Sequence, residues 1–261
     1  MNDEVHIRHD EGICWITLDR PKANAINCAA SRALYEALRA YEADPALRVA
    51  ILTGAGERFF SAGWDLKAAA QGEAVDADHG PGGFGGITEY FSRTKPVIAA
   101  VNGLAVGGGF EVALACDLIV CAEHAQFFLP ETTIGIVPDS GGVFRLSRRL
   151  PRALALDMIL TGRRMAADEA LRWGLVNQVV AGPELPAAAR ALAQGLLRSA
   201  PLAQRAALQL LSATEAMNLS EAFHHQRHGT LPVYRQMLRS QDAQEGIAAF
   251  SEGREPVWAG I

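Results

Sequence analysis

The chain has 261 residues and a formal net charge of −5 at pH 7. Apolar residues make up 49% and charged residues 20%, an ordinary globular composition, with length enough for one large core and a smaller appendage. The negative balance excludes the basic footprint of a nucleic-acid binder and argues against a basic membrane-binding surface, and no run of 18 apolar residues is present to span a bilayer.

Residues 1–11 are polar and charged and lack the apolar centre of a secretory leader, so a cytoplasmic location is expected. Cys14, Cys28, Cys116 and Cys121 have no paired metal-ligand spacing and are expected to be buried, reduced thiols. The first strand signal is Ile13 to Leu18. After the turn at Asp19-Arg20-Pro21, Leu34, Ala37, Leu38 and Tyr41 recur at helical spacing within a helix predicted over Cys28 to Tyr41, which Asp44-Pro45 ends. Val49 to Thr53 is a short β-branched run stopped by Gly54-Ala55-Gly56 and reads as a buried strand. Residues 71–86 are crowded with glycine and have no apolar period: a mobile surface loop, or a loop covering a ligand pocket.

Pro96 opens a second buried strand, Val97 to Val101. Gly107-Gly108-Gly109 leads into a helix over Phe110 to Cys116, and Leu118 to Cys121 is a third buried strand. Strand, helix, strand at this spacing predicts a parallel α/β sheet with crossover helices. Pro130, Pro138 and Gly141-Gly142 punctuate a loop region. Leu150 to Leu160 and Ala166 to Trp173 read as helices, and from about Ala187 the chain is nearly all helix former, broken at Pro201 and Pro232.

Two features carry chemistry. The three adjacent glycines cost backbone entropy, which implies close approach of a ligand or another backbone. Free N–H groups at the helix start they open suit an oxyanion or a phosphate, although tight helix-on-strand packing also explains them. The turn Ser61-Ala62-Gly63-Trp64-Asp65, after Phe59-Phe60, either offers one more exposed N–H near Trp64 or simply turns a corner. Glu111 sits in the first turn of an apolar helix, either as a cap or as a working acid. Glu131 follows Phe127-Phe128-Leu129-Pro130, surroundings that would desolvate a carboxyl and raise its pKa toward the range useful for proton transfer; a solvent-facing turn residue is the alternative. His224, His225 and His228 read as a helix face without catalytic partners.

The stretch from Asn102-Gly103 through Glu111, the turn SAGWDL at 61–66, and PETTIGIVPDSGG at 130–142 resemble the enoyl-CoA hydratase/isomerase (crotonase) family over nearly the whole chain. The stretches at 20–26 (RPKANAI), 59–89 and 161–180 are similar to the members that dehydrate carnitinyl-CoA. The resemblance implies a spiral of ββα units over 1–200 with a C-terminal helical trimerisation region over 201–261, assembled as trimers or dimers of trimers. It implies that Trp64 and Gly108 hold the thioester oxygen while Glu111 and Glu131 work on the two carbons of the double bond. It puts Lys22, Ala23, Ala25, Ala62, Asp65, Leu66, Lys67, Gly107, Pro130, Asp139 and Arg254 along the substrate. Lys22, Lys67 and Arg254 are the candidate neighbours of the phosphates or adenine. Phe84 and Tyr90 are candidate faces for a trimethylammonium group. The implied reaction takes an acyl-CoA substrate and no separate cofactor or metal. Two acids favour a hydratase over a double-bond isomerase. They also argue, with the net charge, against a non-catalytic RNA-binding relative.

Overall fold

The computed structural model describes residues 4–261. The chain opens with a hairpin, β1 (Val5–Asp10) and β2 (Ile13–Leu18), and continues through α1 (Cys28–Ala43), β3 (Val49–Gly54), β4 (Phe59–Ser61) and the short α2 (Leu66–Ala70). Next come β5 (Val97–Val101), β6 (Leu104–Val106), α3 (Gly108–Ala115), β7 (Leu118–Ala122) and β8 (Gln126–Phe128). α4 (Gly142–Arg149), α5 (Arg152–Thr161), β9 (Met165–Ala166), α6 (Ala167–Arg172) and β10 (Gln178–Val180) follow. The chain ends in α7 (Leu185–Leu197), α8 (Pro201–Thr214), α9 (Leu219–His228), α10 (Pro232–Met237) and α11 (Gln241–Glu252).

Two sheets result. The larger has the order β1-β2-β3-β5-β7-β10; β1 is antiparallel to β2 and every later pair is parallel. All five residues of β5 are buried, which is why its sequence is a continuous apolar run rather than an alternation. The smaller sheet has the order β4-β6-β8-β9, with β4, β6 and β8 parallel and β9 antiparallel to β8. The chain is an α/β protein, as its sequence predicts. Helix α1 is capped by the Asn27 side chain, which accepts from Ala30 N–H, and buries Leu34, Ala37, Leu38 and Tyr41 along one face. All four cysteines are free, three of them buried.

Three expectations are corrected. The charged N-terminal stretch forms β1: its outward residues are exposed while its backbone pairs with β2 along the whole strand. The region punctuated by Gly141-Gly142 is not all loop, because α4 starts at Gly142; only Gly142 and Leu146 on this helix are buried, too few to give a readable apolar period. The glycine-rich helix begins at Gly108 rather than Phe110 and ends at Ala115.

The chain divides into two compact units. One takes in the residues up to Tyr90 and Val97–Ala193; the other is Phe91–Pro96 with Gln194–Ile261. Within the second unit, α10 and α9 pack on α8, and Pro201 and Pro232 each occupy the first turn of a helix, where a missing N–H does no harm. The tail folds back on α11, where the Asp242 carboxylate accepts from Ala259 N–H at 2.7 Å and Gly260 N–H at 3.0 Å. None of the described helices is long and apolar enough to cross a membrane.

Candidate active site

Three pieces of chain meet where the parallel strands β4, β6 and β8 end. The turn 62–65 leaves β4, the glycines and α3 leave β6, and the turn Glu131–Ile134 leaves β8. Carboxyl ends of neighbouring parallel strands are where α/β sheets open toward ligands.

The first piece is held by an unusual anchor. Asn24 is buried with φ of +50°, a conformation asparagine tolerates better than most residues. Its side-chain amide donates to Ala55 O at 3.0 Å and Phe59 O at 2.9 Å, while its carbonyl accepts from Ser61 Oγ at 2.7 Å. Ser61 Oγ in turn accepts from Gly63 N–H at 3.1 Å. A parallel bridge joins Ile26 to Trp64, through Ile26 N–H to Gly63 O and Asp65 N–H to Ile26 O. That bridge uses the groups on either side of Trp64 and leaves its own N–H outside the ladder. Asp65 caps α2 and pairs with Arg20 Nη1 at 3.0 Å, and burial works against the Asp65 carboxylate while these hydrogen bonds bring its pKa down overall.

The second piece begins at Gly107, whose φ of +53° suits glycine and whose added Cβ would lie 2.4 Å from Glu131 Oε1. Gly108 is the first residue of α3, so its N–H has no acceptor within the helix. It faces the first piece closely: an added Cβ on Gly63 would fall 2.8 Å from Gly108 N. The Gly63–Trp64 turn and the start of α3 are thereby immediate neighbours.

The two acids are both buried. Glu111 is 2% exposed, and its Oε1 accepts from Gly142 N–H, the first helical residue of α4, at 2.7 Å. Burial pushes its pKa up to about 8; the Gly142 N–H pulls against this, and the nearby Glu131 and Asp139 charges add to it. Glu131 is 8% exposed, and burial pushes it up to about 7, with Asp139 again adding and its own backbone N–H opposing. Glu131 Oε2 is buried without a hydrogen-bond partner. Such a group is costly to keep unless something occupies the space before it.

Both acids line a cavity of about 520 Å³ together with Ala62, Trp64, Leu66, Gly107, Gly108, Pro130 and Asp139. The glycine-rich stretch supplies another wall, with Val75 through Gly80, Gly83 and Phe84 on the cavity. Of the two readings of that stretch, the pocket-lining one holds. It lies against two helices: an added Cβ at Gly86 would lie 2.3 Å from Tyr35 N on α1, and one at Gly85 would lie 2.2 Å from Val112 Cγ2 on α3. Phe84 packs over Gly108 and meets the His79 ring edge-on at 4.9 Å.

The other expected contacts separate into those beside the cavity and those elsewhere. Ala23 O accepts from Ala62 N–H at 2.9 Å, and Ala25 O accepts from the Arg20 guanidinium, so both residues brace the Trp64 turn through their backbone. Lys22, with φ of +84°, and Lys67 are exposed and lie outside the cavity wall. Tyr90 also lies outside the wall, its ring edge-on to Tyr35 at 5.1 Å. Arg254 belongs to the second unit, where it pairs with Glu245 and Glu252, both at 2.6 Å. His224 and His228 meet at a tilt with ring centroids 4.7 Å apart on α9 and are not part of the cavity wall.

Sequence reading missed Glu73. Its Oε1 accepts from Trp64 Nε1 at 3.0 Å and its Oε2 from Cys28 N–H at 3.1 Å, which fixes the indole and ties the 71–86 stretch to the start of α1. No local pattern marks this role, because the partners are nine and 45 residues away. Side-chain ligand atoms of Cys28, Glu73 and His79 lie within 4.8 Å of one another, the one group among the described residues that could hold a metal ion. Both Glu73 oxygens are already engaged, and His79 Nδ1 is 2.9 Å from Ser31 Oγ. Burial lowers the His79 pKa and burial also raises that of Cys28.

A buried acid pair shares one cavity with Trp64 and the first residue of α3 at the ends of three parallel strands, an arrangement suited to proton transfer beside backbone N–H donors. Residues 8–260 match the family model described as enoyl-CoA hydratase/isomerase, and the chain belongs to that family. Carnitinyl-CoA dehydratase of Salmonella heidelberg (strain SL476) is 58% identical over 260 residues, covering 100% of both chains. Among solved structures, enoyl-CoA hydratase from Mycobacterium tuberculosis H37Rv superposes with a TM-score of 0.89 at 42% identity, covering 99% of each chain. Carnitinyl-CoA hydratase from Mycobacterium avium gives a TM-score of 0.77 at 41% identity, covering 100% of each chain. The family resemblance stated from the sequence motifs holds over the full chain.

Proposed function

We propose that this protein interconverts L-carnitinyl-CoA with crotonobetainyl-CoA and water, with Glu111 and Glu131 as its proton-transfer pair. The observation that carries the reaction class is the pair itself: two buried carboxyls, raised to about 8 and about 7, on one cavity beside two N–H groups. The full-length 58% identity to carnitinyl-CoA dehydratase favours the carnitinyl substrate over a plain enoyl-CoA.

In dehydration, ionised Glu131 takes the proton from Cα. The electron pair left on Cα delocalises onto the thioester oxygen, where the N–H groups of Trp64 and Gly108 hold the charge. One such donor is worth roughly 3–4 kcal/mol of barrier where water is excluded. The enolate then expels the β-hydroxyl, which leaves as water with the proton of Glu111. The reaction ends with the proton on Glu131 and the charge on Glu111, and hydration runs the same steps backward. Burial raises both acids toward neutrality, so the pair can hold and exchange a proton near pH 7 to 8. The chemistry is complete with these groups and the CoA ester; no separate cofactor enters a step.

Assembly as trimers or dimers of trimers fits the exposed apolar side chains of the C-terminal helices, among them Leu211, Leu219, Phe223, Ile247 and Phe250. Light scattering on the purified protein reads the stoichiometry.

Loss of absorbance of the conjugated thioester, with crotonobetainyl-CoA and crotonyl-CoA offered side by side, tests the substrate. A strong preference for crotonobetainyl-CoA supports the reading. Equal or better turnover of crotonyl-CoA makes the protein a general enoyl-CoA hydratase, as the solved relative from M. tuberculosis is named. Turnover of neither overturns the reaction class.

A further inference from the structure

The cavity wall is one-sided in charge. Its ionisable members are Asp76, Asp78, Glu89, Asp139 and the two buried glutamates, with His79; neither lysine nor arginine is among them. For a neutral acyl chain this arrangement is a disadvantage, since each added carboxylate makes it harder for the catalytic pair to ionise. A cationic acyl group reverses the sign. A second observation points to an occupant: Glu131 Oε2 is buried on this cavity with no partner of its own.

Asp139 is the acid best placed to meet that cation. It follows Pro138, which flanks Glu111: a Cβ added at Gly142 would lie 3.0 Å from Glu111 Oε1 and 3.1 Å from Pro138 Cβ, and its charge bears on both Glu111 and Glu131. Its one hydrogen bond is from the adjacent Ser140 Oγ at 3.5 Å, so its carboxylate is largely uncommitted. Asp78, by contrast, faces Arg32 at 3.7 Å and accepts from Gly80 N–H at 2.7 Å. Arg145, whose charge reaches Glu111, directs its guanidinium to Ser140 O and Thr88 O and is not part of the wall. Covalent chemistry fixes the distance on the substrate side. In a carnitinyl chain the ammonium nitrogen is two bonds from Cβ, the carbon whose hydroxyl Glu111 protonates, so the cation must lie beside Glu111 on the acyl side.

Resting on the carnitinyl reading above, we propose that Asp139 is the specificity-determining counter-charge for a quaternary ammonium on the γ-carbon of the acyl chain, with the Trp64 and Phe84 rings as its apolar flanks. Quaternary ammonium groups have no N–H to donate, so an acid and aromatic faces are the contacts open to them. The site thereby selects by charge what shape alone would not separate from a branched neutral chain.

The test compares two thioesters on the full-length protein: crotonobetainyl-CoA, and its isostere in which a tert-butyl group replaces the trimethylammonium. The readout is the ratio of kcat/KM, cationic over isosteric, in the wild type and in Asp139→Asn. Both substrates are read on one preparation, so the fraction of folded enzyme cancels. We expect the ratio to fall roughly 10- to 100-fold in the variant, the range for losing one close charge partner. An unchanged ratio, whatever the absolute rates do, overturns the assignment of Asp139. Should the variant not fold, salt titration of the wild type decides the matter: the KM of the cationic substrate rises with ionic strength relative to that of the isostere if a charge contact selects it, and the two move together if none does. A wild-type ratio near unity means that the carnitinyl reading itself has failed, a result distinct from a wild-type preference that survives Asp139→Asn.

Discussion

Replacing Glu111 by Gln should make the protein more stable as it makes it inactive. The amide keeps the shape and its oxygen can still accept from Gly142 N–H, the bond that Glu111 Oε1 now makes at 2.7 Å. What it loses is the titration. Burial raises Glu111 from 4.5 to about 8. An unfolded chain ionises this carboxyl near its ordinary value, so across that interval the folded state holds a proton that the unfolded state has released. Stability therefore falls as pH rises through the window, and the loss is complete above the folded pKa. A rise of this size costs about 5 kcal/mol well above pH 8, about 4 at pH 8, about 3 at pH 7 and almost nothing at pH 4. Gln has nothing to titrate and escapes the cost. Thermal unfolding of wild type and Glu111→Gln at about pH 5 and pH 8 reads it directly, with roughly 2–4 °C of Tm expected per kcal/mol in a chain of this length. The variant should be close to the wild type at the acid end and several degrees above it at the alkaline end. Hydration should drop roughly 100- to 10,000-fold, as for removal of one acid/base group. A Tm difference that does not change with pH would refute the buried, raised carboxyl, and undiminished hydration would remove Glu111 from the chemistry.

Glu131→Gln should abolish exchange of the α-protons of a saturated acyl-CoA with deuterated solvent, by roughly the same factor, as followed by proton NMR; near-full hydratase activity in this variant would defeat the two-acid mechanism. Dehydration requires Glu131 ionised and Glu111 protonated, so its rate should peak between about 7 and about 8 and fall on both sides; a rate still rising well above this range would place the proton donor elsewhere. Gly107→Ala forces a side chain into φ of +53° and 2.4 Å from Glu131 Oε1. It should cost roughly 1–3 kcal/mol in urea unfolding and impair turnover, whereas a variant of wild-type stability and rate would show that this carboxyl is free to move aside.

The sequence disclosed the strands of the large sheet most readily because they are buried on both faces. Val49 to Thr53, Val97 to Val101 and Leu118 to Cys121 are apolar runs that need no context to be read. The strands that build the site are three residues each, Phe59–Ser61, Leu104–Val106 and Gln126–Phe128, too short for any period to emerge. They were visible only as flanks of the turns they feed. The two acids and two N–H groups were legible because each sits in a local context that is unusual in itself, an acid among apolar residues or a helix opened by glycines. The braces behind them were not. Asn24, Ser61 and Glu73 act through partners 35, 37 and nine residues distant, and only the fold brings those partners near.

Placing the acids at the ends of neighbouring strands also explains how the site withstands its own electrostatics. Two carboxyls with raised pKa values and a third acid beside them are unfavourable in a folded chain, and such groups persist only where the surrounding structure leaves them no alternative. Here each is pinned by a different element. Glu111 is held by the first residue of α4 and Glu131 by the turn after β8, while Gly107 admits the Glu131 carboxyl where any side chain would exclude it. The strands β4, β6 and β8 are hydrogen-bonded neighbours in one parallel sheet, so the spacing of the Trp64 turn, the α3 start and Glu131 follows from the ladder rather than from the loops. A loop-built site could relieve the repulsion by opening. A ladder-built one has no such freedom, so the acids stay where the strands put them.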